Sequence, residues 1–187
     1  MGEAFGKRLN RLGRARPLLY RQGRFEDVTD SLLRLMADAR DVDQRIAVRA
    51  TLASHYQFIG NKAAALQTIS EQIDEKPDDL QSLIALAEHF HYCQVDLFKA
   101  ADAVERALAV ATAQSFLVRQ VLGTRMRIAL ETGEFELASD SLSRLIDYKP
   151  PEGALDVAYE RDFIKRIPPG VIEPALIARY IELLPAE

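Results

Sequence analysis

Three stretches of the chain superpose without gaps on a central glycine: YRQGRFEDV at 20–28, YQFIGNKAAA at 56–65 and ALETGEFELA at 129–138. Each has the composition of a helix end, a glycine turn and a second helix start, so the chain is built from repeated helix pairs. Gly23 and Gly60 lie 37 residues apart, and a degenerate copy, FHYCQVDLFKAA at 90–101, fills the interval before Gly133. A weaker fifth echo is Gly170 with Ala175. The spacing exceeds the roughly 34 residues of the standard helix-turn-helix repeat, which longer connections between repeats would absorb.

Between the glycines, Leu66, Ile69 and Ile73, and then Ala100, Val104, Ala107 and Leu108, recur at three- and four-residue steps, the period of an amphipathic helix. No window alternates apolar and polar residues as a half-buried strand does. Asp41 with Gln44 predicts a capping box, Asp78 and Asp79 precede another helical run, and Pro77 and Pro150 close second helices. The expectation is all-α.

Leu52, Ala53, Tyr56, Gly60, Ala65, Ile69 and Pro77 fall where the tetratricopeptide repeat (TPR) places its large, small, aromatic, glycine, small, large and proline residues. The next repeat keeps Leu86, Ala87, Phe90, Ala100, Val104 and Ala107, with one inserted residue between its helices and no closing proline. Residues 113–150 keep Gly133, Ala138, Leu142 and Pro150, and the first repeat keeps Gly23, Phe25, Val28 and Leu32. Gln72 departs from a usual alanine, and Arg125 and Met126 from a large and a small residue. The chain thus resembles a TPR-like helical repeat protein over about residues 10–150. The resemblance implies a right-handed superhelical α-solenoid of about four to five helix-turn-helix units, whose stacked pairs bury what one pair leaves bare. One domain over 1–187 is expected, with a basic N-terminal helix at 1–16, core repeats at 17–150 and C-terminal capping helices at 151–187. Residues 154–166 and 174–184 read as those last helices.

Composition narrows the function classes. The net charge of −4 and the acidic isoelectric point disfavour general polyanion binding, so no nucleic acid is expected. A single cysteine, Cys93, excludes an intramolecular disulfide and fits a reducing, cytoplasmic setting of bacterial type. No apolar run is long enough to span a membrane, so insertion is not expected.

His89, His91 and Cys93 form the most site-like cluster. On an α-helix His89 and Cys93 share a face while His91 points away, so the set falls short of the three or four ligands of a zinc site. A metal-dependent or thiol enzyme centred on these residues is the remote alternative. His55 shares the repeat position of His89, which favours structural roles for both. No phosphate loop and no triad is present, so catalytic residues, metals and cofactors are all expected to be absent. In the basic N-terminal segment, Arg8, Arg11 and Arg14 recur at three-residue steps opposite Phe5, Leu9 and Leu12, as in a solvated helix on the first repeat. Their charge would complement the run Glu71, Asp74, Glu75, Asp78 and Asp79.

In tetratricopeptide domains the inward face of each first helix binds extended peptides. Alignment by the glycines places Ser54, Gln57, Phe58, Gln81, Ile84, Glu88, His91 and Tyr92 there, with Arg127 and Glu131 continuing the line. The family's carboxylate clamp positions hold Ala50, Ser54, Gln81 and Ala85, so that clamp is absent. The resemblance therefore implies a noncatalytic protein-protein interaction module, an adaptor, scaffold or assembly factor with a protein or peptide partner. An immunity-type or inhibitor protein occluding one enzyme is the alternative within binding proteins. The apolar stripe Ile172, Leu176, Ile177, Tyr180, Ile181 and Leu184 is expected to pack internally, or, if left uncovered, to form a homodimer through the C-terminal helix.

Overall fold

A computed structural model describes residues 4–111, 117–148 and 157–184. Among them every regular element is helical: α1 (Phe5–Arg21), α2 (Phe25–Asp38), α3 (Val42–Phe58), α4 (Lys62–Glu75), α5 (Leu80–Glu88), a π-helical turn (His89–Gln94), α6 (Leu97–Val110), α7 (Leu117–Thr132), α8 (Phe135–Asp147), α9 (Val157–Lys165) and α10 (Pro174–Leu183). The helices form helix-turn-helix repeats. By internal contacts the chain divides into two compact units, Met1–Ser82 and Leu83–Glu187.

In the first unit α1 packs on α2, α2 on α3 and α3 on α4. Val28, Leu32, Leu35, Val48 and Leu52 are buried together, with Phe5, Leu9, Leu12 and Leu19 of α1 lying against them. Each large aliphatic side chain so buried contributes about 1.5–3 kcal/mol. Helix α1 runs unbroken through Pro17, so the basic segment and the opening helix of the first repeat are one element. The proline ring faces the carbonyl four residues back. That residue is Gly13, beside which even a Cβ would meet nothing within 4 Å.

The turns explain why glycine recurs. Gly23, Gly60 and Gly133 have φ of 70°, 78° and 78°, in the left-handed region where only glycine is unstrained. Each is followed by a residue whose amide donates to a carbonyl five residues earlier: Arg24 to Leu19, Asn61 to Tyr56 and Glu134 to Ala129. In the degenerate repeat the inserted residue is taken up by the π-helical turn, and the matching bond, from Asp96 to Phe90, spans six residues. Val95 stands in the glycine position with φ 57°, the one non-glycine residue of positive φ among the described residues. Asn61 and Asp96, at equivalent positions, cap α4 and α6 by accepting from the amides of Ala64 and Lys99.

The expected caps at Asp41 and Asp79 form, accepting from the amides of Gln44 and Ser82 at 2.8 and 2.9 Å. Helix α4 stops at Glu75, two residues before Pro77. Pro150 and residues 154–156 lie outside the described residues. Gln72, where an alanine is usual, is buried and donates to the Ile46 carbonyl at 3.2 Å. Arg125 ties three helices of the second unit together through Glu105 at 2.7 Å and Asp140.

The second unit's core joins Val118, Leu122, Met126, Ala138, Leu142 and Leu145 to Ile164, Ile172, Tyr180 and Leu184. Leu176 and Ile177 pack against the same cluster, so the C-terminal stripe is covered within the chain except at Ile181. Arg119, itself buried, donates to the Tyr180 hydroxyl, which donates in turn to Glu160 at 2.7 Å. Burial, reinforced by Glu160, pushes the Tyr180 phenol far up, so it stays protonated. This chain of bonds ties α10 to α7 and α9.

Candidate functional site

Of the acidic run expected to complement the N-terminal arginines, Glu71 and Glu75 are engaged within their own repeat. Glu75 pairs instead with Arg45 and Arg49 of α3, and Arg49 reaches Glu71 at 3.5 Å. The Arg45 guanidinium, with Arg49 beside it, holds the Glu75 carboxyl below its usual value. These partners project from the adjacent helix of the same repeat, closer than α1. On α1, Arg8 pairs with Asp38 of α2.

The basic helix instead lines two clefts. In the first unit an open cleft of about 640 Å³ is bounded by Asn10, Arg14 and Arg16 of α1, Thr51 and Ser54 of α3, and Gln81 at the start of α5. Ser54 and Gln81, two of the residues expected to face a ligand, are brought together there, both exposed. Gln57 is half-buried, and Phe58 is not part of the cleft lining. Phe58 stacks face to face on Tyr20, with ring centres 4.1 Å apart, and so staples the ends of α1 and α3. The cleft offers amides, hydroxyls and two guanidiniums around a floor that includes Leu9 and Ala50. Its lining thus combines hydrogen-bonding side chains with positive charge.

The candidate residues of the second unit are disposed differently. Ile84 is 4% exposed, a core position that a ligand does not reach. His91 is 5% exposed, and its Nε2 lies 2.9 Å from Glu131 Oε1. A π turn holds more residues per turn than an α turn, and it turns His91 inward where its counterpart Gln57 is only half-buried. Glu88 accepts from Gln120 at 3.0 Å. The Arg127 guanidinium lies over Phe163 and donates to Thr124 at 2.9 Å. Tyr92 is exposed on the π turn and packs on His91. Glu88, His91, Arg127 and Glu131 each bond a neighbouring side chain, which a ligand would have to displace, while the buried Nδ1 of His91 has no hydrogen-bond partner.

The His89, His91 and Cys93 cluster does not converge. His89 is fully buried against Gln94, at 3.2 Å, while His91 turns to Glu131. Among the described residues no group of three or more His, Cys, Asp or Glu is placed to hold a metal ion. His55 is also fully buried, its two ring nitrogens 2.8 Å from the Tyr20 and Thr29 hydroxyls. Burial, with a smaller contribution from Arg16, lowers its pKa and keeps the ring neutral. It joins α1, α2 and α3 as a structural centre.

Asn10, Arg14, Arg16 and Thr51 are the cleft residues that inspection of the repeats does not single out. For the three on α1 the signal is the basic character of residues 7–16, which marks the helix but not the direction of each side chain, and Thr51 of α3 carries none.

No protein-family model matches the chain, and no curated protein sequence does so. Solved structures match its fold. A crystal structure of MamA is 15% identical over 89% of this chain and 90% of that one, and a second MamA structure 16% identical over 96% and 91%, each with a TM-score of 0.57. A thermophilic TPR protein of Thermus thermophilus, TTC0263, is 18% identical over 97% of this chain and 99% of that one, also at 0.57. The chain therefore has a TPR-like helical repeat fold. Among the described residues no helix is long and apolar enough to cross a membrane.

Proposed function

We propose that the chain is a noncatalytic protein-interaction module that takes an extended peptide or a helix of its partner on the inward face of its first helices. The carrying observation is the open cleft of about 640 Å³ that gathers Ser54 and Gln81 with Asn10, Arg14, Arg16 and Thr51. Its polar groups line a space large enough for several side chains. His55 bonds two hydroxyls through its two ring nitrogens, His89 bonds Gln94, and the Nε2 of His91 bonds Glu131. A TPR-like fold is consistent with this use, because stacked helix pairs present such faces.

A photo-crosslinking residue placed at Ser54 or Gln81 tests the proposal in cells of the protein's own source. The expected result is one discrete protein adduct from both positions and none from Asp102, an exposed α6 residue. Equal adducts from all three positions, or none from any, would overturn it.

A further inference from the structure

Arg16 of α1 and Ser54 of α3, both in the lining of the inward cleft, stand four residues before Tyr20 and Phe58 on the same helices. Residues four apart share a helix face, and side chains lean toward the helix N-terminus, so both rings lean back toward the cleft. The Arg16 guanidinium lies over the Tyr20 ring, 5.8 Å from its centre, and Tyr20 stacks on Phe58 with the ring planes 9° apart. Phe25 of α2 tilts against both rings. Phe58 still stays 61% exposed, so the stack covers one face of its ring and leaves the rest to solvent. We propose that Phe58 is an anchor subsite at the end of that cleft, and that the peptide held there is extended and packs an aromatic side chain on the open face of Phe58. The proposal rests on the inward-face reading and adds to it which residue class is selected and where it sits.

Helix rise sets the spacing. Ser54 and Phe58 are about 6 Å apart along α3, at about 1.5 Å per residue. An extended peptide covers about 3.3 Å per residue, so that distance spans two of its residues, and side chains two apart point to the same side. A peptide running along the cleft therefore presents one side chain to Ser54 and the next but one to Phe58. Hydrogen-bonding chemistry decides the class of occupant. Asn10, Ser54 and Gln81 each donate and accept, as a peptide main chain does, whereas a phosphodiester only accepts. An aromatic side chain gains from a ring neighbour beyond the area it buries. A second copy of this chain would need about 800 Å² on each partner, far more than one open ring face supplies.

The probe is a pool of octapeptides randomised at every position, retained on the immobilised full chain and sequenced by mass spectrometry. Once aligned, the retained peptides should be enriched about tenfold in phenylalanine, tyrosine or tryptophan at one position, two residues from the position most enriched in polar side chains. Phe58→Ala and Phe58→Leu should abolish the aromatic enrichment and Phe58→Tyr should keep it. Phe135→Ala, at an exposed phenylalanine of the second unit, should leave it unchanged. Circular dichroism of each variant verifies the fold. Equal aromatic enrichment with Phe58→Leu, or its loss with Phe135→Ala, would overturn the proposal. So would a dimer that Phe58→Ala dissolves in sedimentation, or an oligothymidine held more tightly than the selected peptides. Ser54→Trp, which fills the cleft, separates the two readings. Polar enrichment that Ser54→Trp removes, with no aromatic preference, would sink the anchor and leave the cleft standing. Aromatic enrichment that survives Ser54→Trp would detach Phe58 from the cleft and also overturn the anchor, and a pool retained with no enrichment would sink both readings.

Discussion

Replacing Val95 by glycine should stabilise the protein, although it deletes an apolar side chain. Val95 holds φ 57° and ψ 38° where three other repeats place glycine. A non-glycine residue in that region costs about 1–2 kcal/mol, and β-branching puts valine at the upper end. Against this gain stand two losses. Glycine adds about 0.4–1 kcal/mol of unfolded-chain entropy. Val95 is 72% exposed, so it forfeits only about a quarter of the roughly 1.5–3 kcal/mol that full burial of its side chain contributes. The balance is a gain of about 0.5 kcal/mol, which for a chain of this length raises Tm by about 1–2 °C.

Urea denaturation followed by circular dichroism measures the change, with Gly60→Val as its mirror. At Gly60 an added Cβ meets nothing within 4 Å, so any loss is conformational. That variant should be destabilised by about 1 kcal/mol. If Val95→Gly is destabilising, the π turn does not strain its valine and the equivalence of Val95 with the turn glycines fails. A neutral Gly60→Val would sink the same reasoning from the other side.

His55 has its pKa lowered in the fold, so the unfolded chain binds the extra proton first as pH falls. Stability should therefore be full above the unfolded value near 6.5 and decline as pH drops below it; in urea titrations at pH 7.5 and 5.5, His55→Gln should flatten that decline, and an unchanged slope would assign it elsewhere. Tyr180→Phe removes the hydroxyl that accepts from buried Arg119 and donates to Glu160, and should cost about 1–3 kcal/mol in urea denaturation. A loss well under that range would mean that Arg119 is sufficiently partnered by the Leu145 and Tyr148 carbonyls, both at 3.5 Å.

Which parts of this architecture can be read from the sequence follows from how residues encode geometry. Gly23, Gly60 and Gly133 are legible because a left-handed turn leaves an L-residue few alternatives, and the helices between them follow from apolar periodicity. The third repeat's inserted residue is visible as a count. Its destination is not, because a π turn and a longer loop are both ways of absorbing one residue. Ser54 and Gln81 are reached by repeat alignment, whereas alignment carried past the insertion puts His91 on a face that the π turn rotates inward.

The arginines of α1 are misread for a geometric reason. Arg8, Arg11 and Arg14 look like one stripe, but three residues fall short of a 3.6-residue turn by about 60°, so two such steps swing the direction by about 120°. Arg8 and Arg11 accordingly line the cleft toward α2, and Arg14 the cleft toward α3. One basic helix thus divides its charge between two openings. Arg14→Glu should therefore weaken crosslinking from Ser54 and Gln81, whereas Arg8→Glu, on the other opening, should leave it unchanged.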